Sequence, residues 1–295
     1  MLIPAPYLPA LFSLTAVGVW GTSDFLGGVG ARRANAFLFT SIVHLSGMVL
    51  AGMLAIAIRS PFPPLNGLGW ALAAGAVGGF ALALFYRSLA AGQMGLIAPV
   101  SAVLSAAIPT IVTAVSEGLP GTRRLFGFVL AGVGVWLISR AEKKENGQDE
   151  AVRKSANADA RPRGLGMAVL AGCGFAGFYL CIHRAGEGSA LWIAVCSRFA
   201  SFVVTLAFVF FGKLFRAVPR QILAIAIVAG ILDIAGSVVF VRASQIGRLD
   251  AAVVLSSLYP AVTVILARIF LHEHFSRART LGMLAALVAV PMIAG

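Results

Sequence analysis

Charge is scarce in this sequence. Of 295 residues, 12% are Asp, Glu, Lys or Arg, and the acids number 11 against 23 Lys and Arg. Soluble domains carry about 25% charged residues, so this chain cannot clothe in charge the 59% of its residues that are hydrophobic. A water-soluble globular fold is excluded, and with a mean hydropathy of +0.94 the fitting solvent is lipid. Cysteine is also sparse. Cys173, Cys181 and Cys196 all lie in apolar segments. Cys173 and Cys181 would stand ~12 Å apart along one helix, at 1.5 Å per residue, beyond the reach of a disulfide. No GxxxxGK[ST] loop occurs, which excludes a nucleotide-driven pump in this chain.

What is plentiful points the same way. The 33 glycines suit helices that pack backbone to backbone in a bilayer. The formal net charge of +12 resides largely in residues flanking apolar runs, such as Arg32, Arg33, Arg123, Arg124, Lys213, Arg216, Arg220, Arg277 and Arg279. These are membrane-flanking positions. Basic and aromatic residues are not interleaved on a polar surface, so nucleic acid is not an expected partner. Met1 to Tyr7 lacks a basic n-region, and the first apolar stretch reads as a span rather than a cleavable signal.

A span needs roughly 20 mostly apolar residues. Ten stretches qualify: 10–29, 35–58, 66–91, 94–117, 123–140, 164–184, 189–212, 220–244, 249–271 and 278–294. The expected fold is all-α, a polytopic membrane protein. Residues 141–163, with Glu142, Lys143, Lys144, Glu145, Asp149 and Glu150, read as a polar linker between halves at 1–140 and 164–295. One offset, 155 (219 − 64), pairs Pro64 with Pro219, Gly75 with Gly230, Phe85 with Phe240, Arg87 with Arg242, Gly92 with Gly247, Ser101 with Ser256 and Gly127 with Gly282. Two similar units of five spans each must enter the membrane from opposite faces. That is an inverted repeat, an architecture that sets a binding site at the midplane and gives two access states.

Ionisable groups within spans cost at least ~2.5–3.5 kcal/mol on insertion scales and so require a reason. Asp24, His44, Arg198 and Asp233 are the four. Each shares a helical face with small or polar residues, as Asp233 does with Gly230, Ser237 and Ser244, and Arg198 with Ser201 and Thr205. Such faces turn to the bundle interior. Arg198 and Asp233, on consecutive helices, read equally as a structural ion pair or as substrate contacts. His44 reads as a packing residue or a site residue, and Asp24 as a capping or a cavity residue. Trp20, Tyr86, Tyr179 and Tyr259 are candidate cavity walls, with packing as the alternative. Pro99 and Pro109 accompany Ser101 and Ser105 in the fourth span, and Pro260 follows Ser256, Ser257 and Tyr259 in the ninth. A proline within a span frees a backbone carbonyl, which is tolerated beside a cavity. His272, Glu273 and His274 are adjacent and cannot converge on one ion, so they read as a polar cap. No metal site and no cofactor are expected.

Several stretches carry a family resemblance: Trp20-Gly21-Thr22-Ser23, Phe85-Tyr86-Arg87-Ser88-Leu89-Ala90, Ala98-Pro99-Val100-Ser101 with Pro109 and Glu117, Arg198 in the second span of the second half, and Tyr259-Pro260 followed by His272-Glu273. With the two five-span halves, the chain resembles paired EamA-type repeats of the drug/metabolite transporter superfamily. The resemblance implies ten helices, a central cavity between the halves, cytoplasmic termini and secondary transport, commonly export of metabolites or amino acids. Loop Lys and Arg, counted with the basic linker, favour the opposite orientation, and without the linker that bias nearly vanishes. His44 departs from the family pattern, standing near where the first half would carry its arginine.

The expectation is therefore a secondary transporter of the cell inner membrane, multi-pass, exporting a small metabolite such as an amino acid or amphipathic organic compound by alternating access. Its partners are the substrate and the lipid bilayer, with protons as the candidate coupling ion, and it is a monomer or weak homodimer. Trp20, Asp24, His44, Tyr86, Ser101, Tyr179, Arg198, Asp233, Ser256 and Tyr259 are its candidate site residues. A polytopic enzyme acting on lipid-linked substrates is the alternative. It would need a carboxylate or metal cluster at one membrane face.

Overall fold

The computed structural model describes residues 7–91, 94–119, 121–145 and 163–271, with scattered positions between 278 and 292. Among these the protein is helical throughout, with no strand. In chain order the helices are α1 (Leu8–Ala31), α2 (Ala36–Ala57), α3 (Leu65–Ala91), α4 (Met94–Glu117), α5 (Thr122–Glu145), α6 (Arg163–Arg184), α7 (Ala190–Phe211), α8 (Arg220–Ile246), α9 (Leu249–Ser256) and α10 (Tyr259–Leu271). Six stretches are long and apolar enough to cross a bilayer: α2, α3, α7 and α8 entire, most of α6, and Leu249–Phe270. The chain is a multi-pass membrane protein.

One span departs from its expected form. The ninth is two helices, α9 and α10, separated by a turn at Ser257 and Leu258. Pro260 supplies no N–H and its ring crowds the preceding turn, so the ladder stops at Ser257 N–H to Val253 O (2.8 Å) and restarts from Leu258 O. Proline alone does not break a span here, because α4 runs unbroken through Pro99 and Pro109. The expected tenth span and His272, Glu273 and His274 lie largely or wholly outside the described residues.

Helix ends recur at fixed offsets. α2 and α7 each have 22 residues, and both begin and end 154 positions apart. α3 and α8 each have 27 residues, displaced by 155. The caps match too. Asn35 accepts hydrogen bonds from Phe37 and Leu38 N–H at the start of α2, and Ser189 accepts one from Trp192 N–H at the start of α7. Each helix then closes on a basic residue in the left-handed region, Arg59 (φ 52°) and Lys213 (φ 50°). Around them Ser60 N–H returns to Ala55 O and Leu214 N–H to Val209 O, both at 2.9 Å. This six-residue closure satisfies carbonyls that the helix end would otherwise leave open.

The halves pack against each other more than within themselves. α1 lies on α8 and α3 on α6, α2 meets α7, α3 also lies on α7 and α2 on α8, and α4 lies on α6 while α1 lies on α9 and α10. Exchanging helices at these offsets maps this set of contacts onto itself, with α2–α7 as its own counterpart. Lipid offers no hydrophobic drive for such contacts, so small residues and hydroxyls make them. Gly75 and Gly230 sit so close to the Ser197 and Val43 carbonyls that a Cβ at either would collide with backbone. Ser201 Oγ donates to Gly75 O (2.7 Å), Ser23 Oγ to Ala229 O (2.9 Å) and Ser88 Oγ to Gly164 O (2.8 Å). α5 packs mainly on α4 and, more lightly, on α10.

Candidate functional site

The interface between the halves opens around one central cavity, of about 50 Å³. Trp20 and Asp24 of α1, Gly78 and Leu82 of α3, Phe175, Phe178 and Tyr179 of α6, Arg198 of α7, Asp233 of α8 and Tyr259 of α10 line it. Gly78 and Asp233 stand at the midpoints of their 27-residue helices, which sets the cavity near the middle of the bundle. At ~10–15 Å³ for each water, the space admits a few water molecules.

Six of the ten candidate residues stand in this wall: Trp20, Asp24, Tyr179, Arg198, Asp233 and Tyr259. Arg198, 5% exposed, is held from three sides. Its Nε lies 2.9 Å from Asp233 Oδ2, its Nη2 donates to Ser237 Oγ, and its guanidinium lies over the Phe178 ring at 5.9 Å. Although Arg198 Nε and Asp233 Oδ2 meet at ion-pair distance, they lack the alignment of a hydrogen bond. Ser237 completes the arrangement by donating to the Asp233 carbonyl (2.9 Å). That carbonyl also accepts Trp20 Nε1 (3.2 Å), so the indole pins α1 to α8.

Asp24 enters from the other half and is 8% exposed. Among the described residues no cation stands within ion-pair distance of it. Its polar neighbour is the Tyr86 hydroxyl, which in turn lies 3.4 Å from Ser23 Oγ. With the Arg198–Asp233 pair self-neutralising, the cavity keeps one uncompensated carboxyl. Around it stand aromatic faces: Trp20 and Tyr179 have ring centroids 6.2 Å apart, both pack on Phe240 at 5.4 and 4.8 Å, and Phe178 lies 5.6 Å from Tyr179. Tyr259, 4% exposed, has a hydroxyl with no hydrogen-bond partner in the protein.

The other four candidates are not in the wall. Tyr86 stands behind Asp24, fully buried against Phe39 and Phe85. Ser101 is spent on structure, its hydroxyl donating to Ala168 O at 2.7 Å and tying α4 to α6. Ser256 is buried with an unpartnered hydroxyl at the end of α9. His44 is also fully buried, with neither ring nitrogen hydrogen-bonded. Gly78, Leu82, Phe175 and Phe178 line the cavity without having been singled out in the sequence. The offset of 155 marks Gly78, as the position paired with Asp233. Phe175, Phe178 and Tyr179 form a stripe at helical spacing. Among the described residues no group of three His, Cys, Asp or Glu could hold a metal ion.

The connections fall at alternate ends of the bundle. At the end where α1 starts, the halves clasp each other. Trp192 Nε1 donates to Ser60 O (2.9 Å), the Ser60 and Ser189 hydroxyls are hydrogen-bonded, and Phe62 packs on Trp192 with centroids 5.1 Å apart. Gln245 Nε2 donates to Gly186 O (3.1 Å) and Gly188 O (3.2 Å). Arg248 binds Asp250 (2.9 Å) and reaches Gly118 O (3.3 Å).

No curated protein matches the chain. Among solved structures, one crystal structure superposes with a TM-score of 0.75 at 14% sequence identity, covering 96% of this chain and 97% of the other. At that identity the likeness is one of fold. Residues 162–295, which supply α6 to α10 and with them Arg198, Asp233 and Tyr259, match the EamA-like transporter family.

Proposed function

We propose that the protein is a secondary transporter of the inner membrane that exports a small amphipathic organic compound bearing an amine, amino acids included, by alternating access. The observation that carries this reading is the central cavity. It is buried between the halves, walled by aromatic rings, and holds an unpaired carboxyl at Asp24 and an unpartnered hydroxyl at Tyr259. Burying a carboxyl without a counter-cation and a hydroxyl without a partner is costly, and a solute with complementary groups would offset that cost. A cationic amine suits Asp24, and it would also be attracted to the surrounding ring faces.

The matched helix lengths, caps and exchanging contacts support a repeat of five helices in each half, the second inverted, with domains at 1–140 and 164–295 joined by the linker 141–163. In such a molecule two access states arise by exchanging the conformations of the halves. The cavity's small volume and the clasp fit a contracted state closed at the clasp end. An amino acid would enter only once the walls separate.

Coupling falls to Asp233. Protons compete with Arg198 for its carboxylate, and a substrate that disturbs the poorly aligned pair would link its own release to protonation there. Thermal unfolding of purified protein across a panel of amines, amino acids and organic acids tests the binding claim. Stabilisation by amine-bearing compounds, lost in Asp24→Asn, is expected. Stabilisation confined to anions sinks the substrate class. In proteoliposomes Asp233→Asn should lose uphill transport on a pH gradient while retaining exchange. A variant that still concentrates substrate on the gradient makes Asp233 structural.

A further inference from the structure

At the end of the bundle opposite the clasp, two connections from different halves face each other across an open cleft. Arg32, Arg33 and Asn35 of the α1–α2 turn stand against Arg216 and Val218 of the α7–α8 connection. The cleft measures about 240 Å³, far larger than the central cavity. All three arginines are exposed. Among the described residues no carboxylate pairs with any of them.

The clasp shows how such connections meet when they close directly. At the offset of 154, Asn35 corresponds to Ser189 and Leu38 to Trp192, so the cleft and the clasp are built from equivalent segments. At the clasp an indole N–H, two hydroxyls and a ring stack join the connections. At the cleft Leu38 offers no such donor, and the facing groups are guanidiniums of one sign, which repel. An anion with several acceptor oxygens supplies what is missing, since guanidinium forks bind phosphate oxygens in pairs.

The source of that phosphate is set by the neighbouring surface. The end of α7 and the connection after it carry Phe210, Phe211 and Phe215, which are 66%, 82% and 57% exposed. With Lys213 they line a second cleft of about 440 Å³. Exposed aromatics at a span end, beside basic residues, match the boundary between acyl chains and headgroups. Inorganic phosphate would make no use of them.

We propose that Arg32, Arg33 and Arg216 form a binding site for the phosphate of an anionic phospholipid, whose acyl chains lie along Phe210, Phe211 and Phe215. The bound headgroup bridges the two halves where the polypeptide itself does not.

Native mass spectrometry of delipidated protein in mild detergent tests this, with dioleoyl phosphatidylglycerol or dioleoyl phosphatidylcholine added at equal concentration. One phosphatidylglycerol should be retained in preference to phosphatidylcholine by roughly tenfold. The double variant R33Q/R216Q should lose that preference, R33K/R216K should retain part of it through charge without the fork, and Arg59→Gln at the opposite end should leave it unchanged. Millimolar inorganic phosphate should not displace the lipid. Displacement would make the site one for free anions and overturn the lipid assignment. Equal retention of the two lipids by the unaltered protein, or undiminished retention by R33Q/R216Q, would overturn the site itself. If the double variant does not purify, Arg216→Gln alone and the lipid preference of the unaltered protein decide.

Discussion

His44 and Arg198 occupy the same position in their helices, the ninth residue of α2 and the ninth of α7. Arg198 is engaged by Asp233, Ser237 and Phe178, whereas neither nitrogen of His44 has a hydrogen-bond partner. The reason lies one helix further along. Where the second half has Asp233, the first has Gly78, so the position of His44 has lost the partner that would hold a charge.

An unsatisfied buried polar group costs ~1–3 kcal/mol. His44→Leu should therefore keep or raise the thermal unfolding temperature in detergent and leave transport intact. A clear fall in unfolding temperature would mean that the imidazole makes a bond essential to the fold. Loss of transport at unchanged stability would give it a functional role.

Removing one member of the Arg198–Asp233 pair leaves an uncompensated buried charge, at a cost of ~3–5 kcal/mol. Arg198→Met and Asp233→Leu should each destabilise strongly, and the double variant should recover most of the loss. A double-mutant cycle on unfolding in detergent checks this. Additive losses would show that the two groups do not depend on each other.

The crossings at Gly75 and Gly230 leave no room for a methyl group. Gly75→Ala and Gly230→Ala should each cost ~1–3 kcal/mol by overpacking. Gly132→Ala, where nothing lies within 4 Å of the added atom, should be neutral or stabilise by ~0.5–1 kcal/mol as a helix-interior change. Equal tolerance at all three positions would contradict the close packing of α3 on α7 and of α2 on α8.

The hydroxyls of Ser60 and Ser189 are in contact across the clasp. Ser60→Cys with Ser189→Cys should form a disulfide on mild oxidation, and transport should fall to background and return on reduction. Full activity in completely cross-linked protein would show that this end does not open.

The spans were legible because run length in an apolar chain needs no tertiary information, and α2, α3, α7 and α8 end within two residues of the expected bounds. The fixed offset between helix ends was legible from Pro64 with Pro219 and Gly75 with Gly230, since proline and glycine mark backbone positions. The break at Ser257 was not, because Pro99 and Pro109 pass through α4 without one and only local hydrogen bonding separates the two outcomes. Nor was the division of the site residues. Ser101 and Tyr259 look alike in sequence, as polar groups within a span, but one hydroxyl reaches Ala168 O while the other finds no partner. Gly78 shows the converse: a residue without a side chain lines the cavity because its helix passes there.

That glycine also bears on kinetics. α3 and α8 have the same length, yet one presents a bare main chain at its midpoint and the other a carboxylate. In a carrier that exchanges the conformations of such halves, the outward-facing and inward-facing states would be related by a half-turn in shape but not in charge. Half-saturation would then differ between the two sides of the membrane. Without a gradient, the ratio of maximal rate to half-saturation must still be equal in both directions, because unequal ratios would drive net flux from nothing. A tighter-binding side must therefore also be the slower one, and a preferred direction of traffic can reflect substrate concentrations near saturation rather than any one-way device.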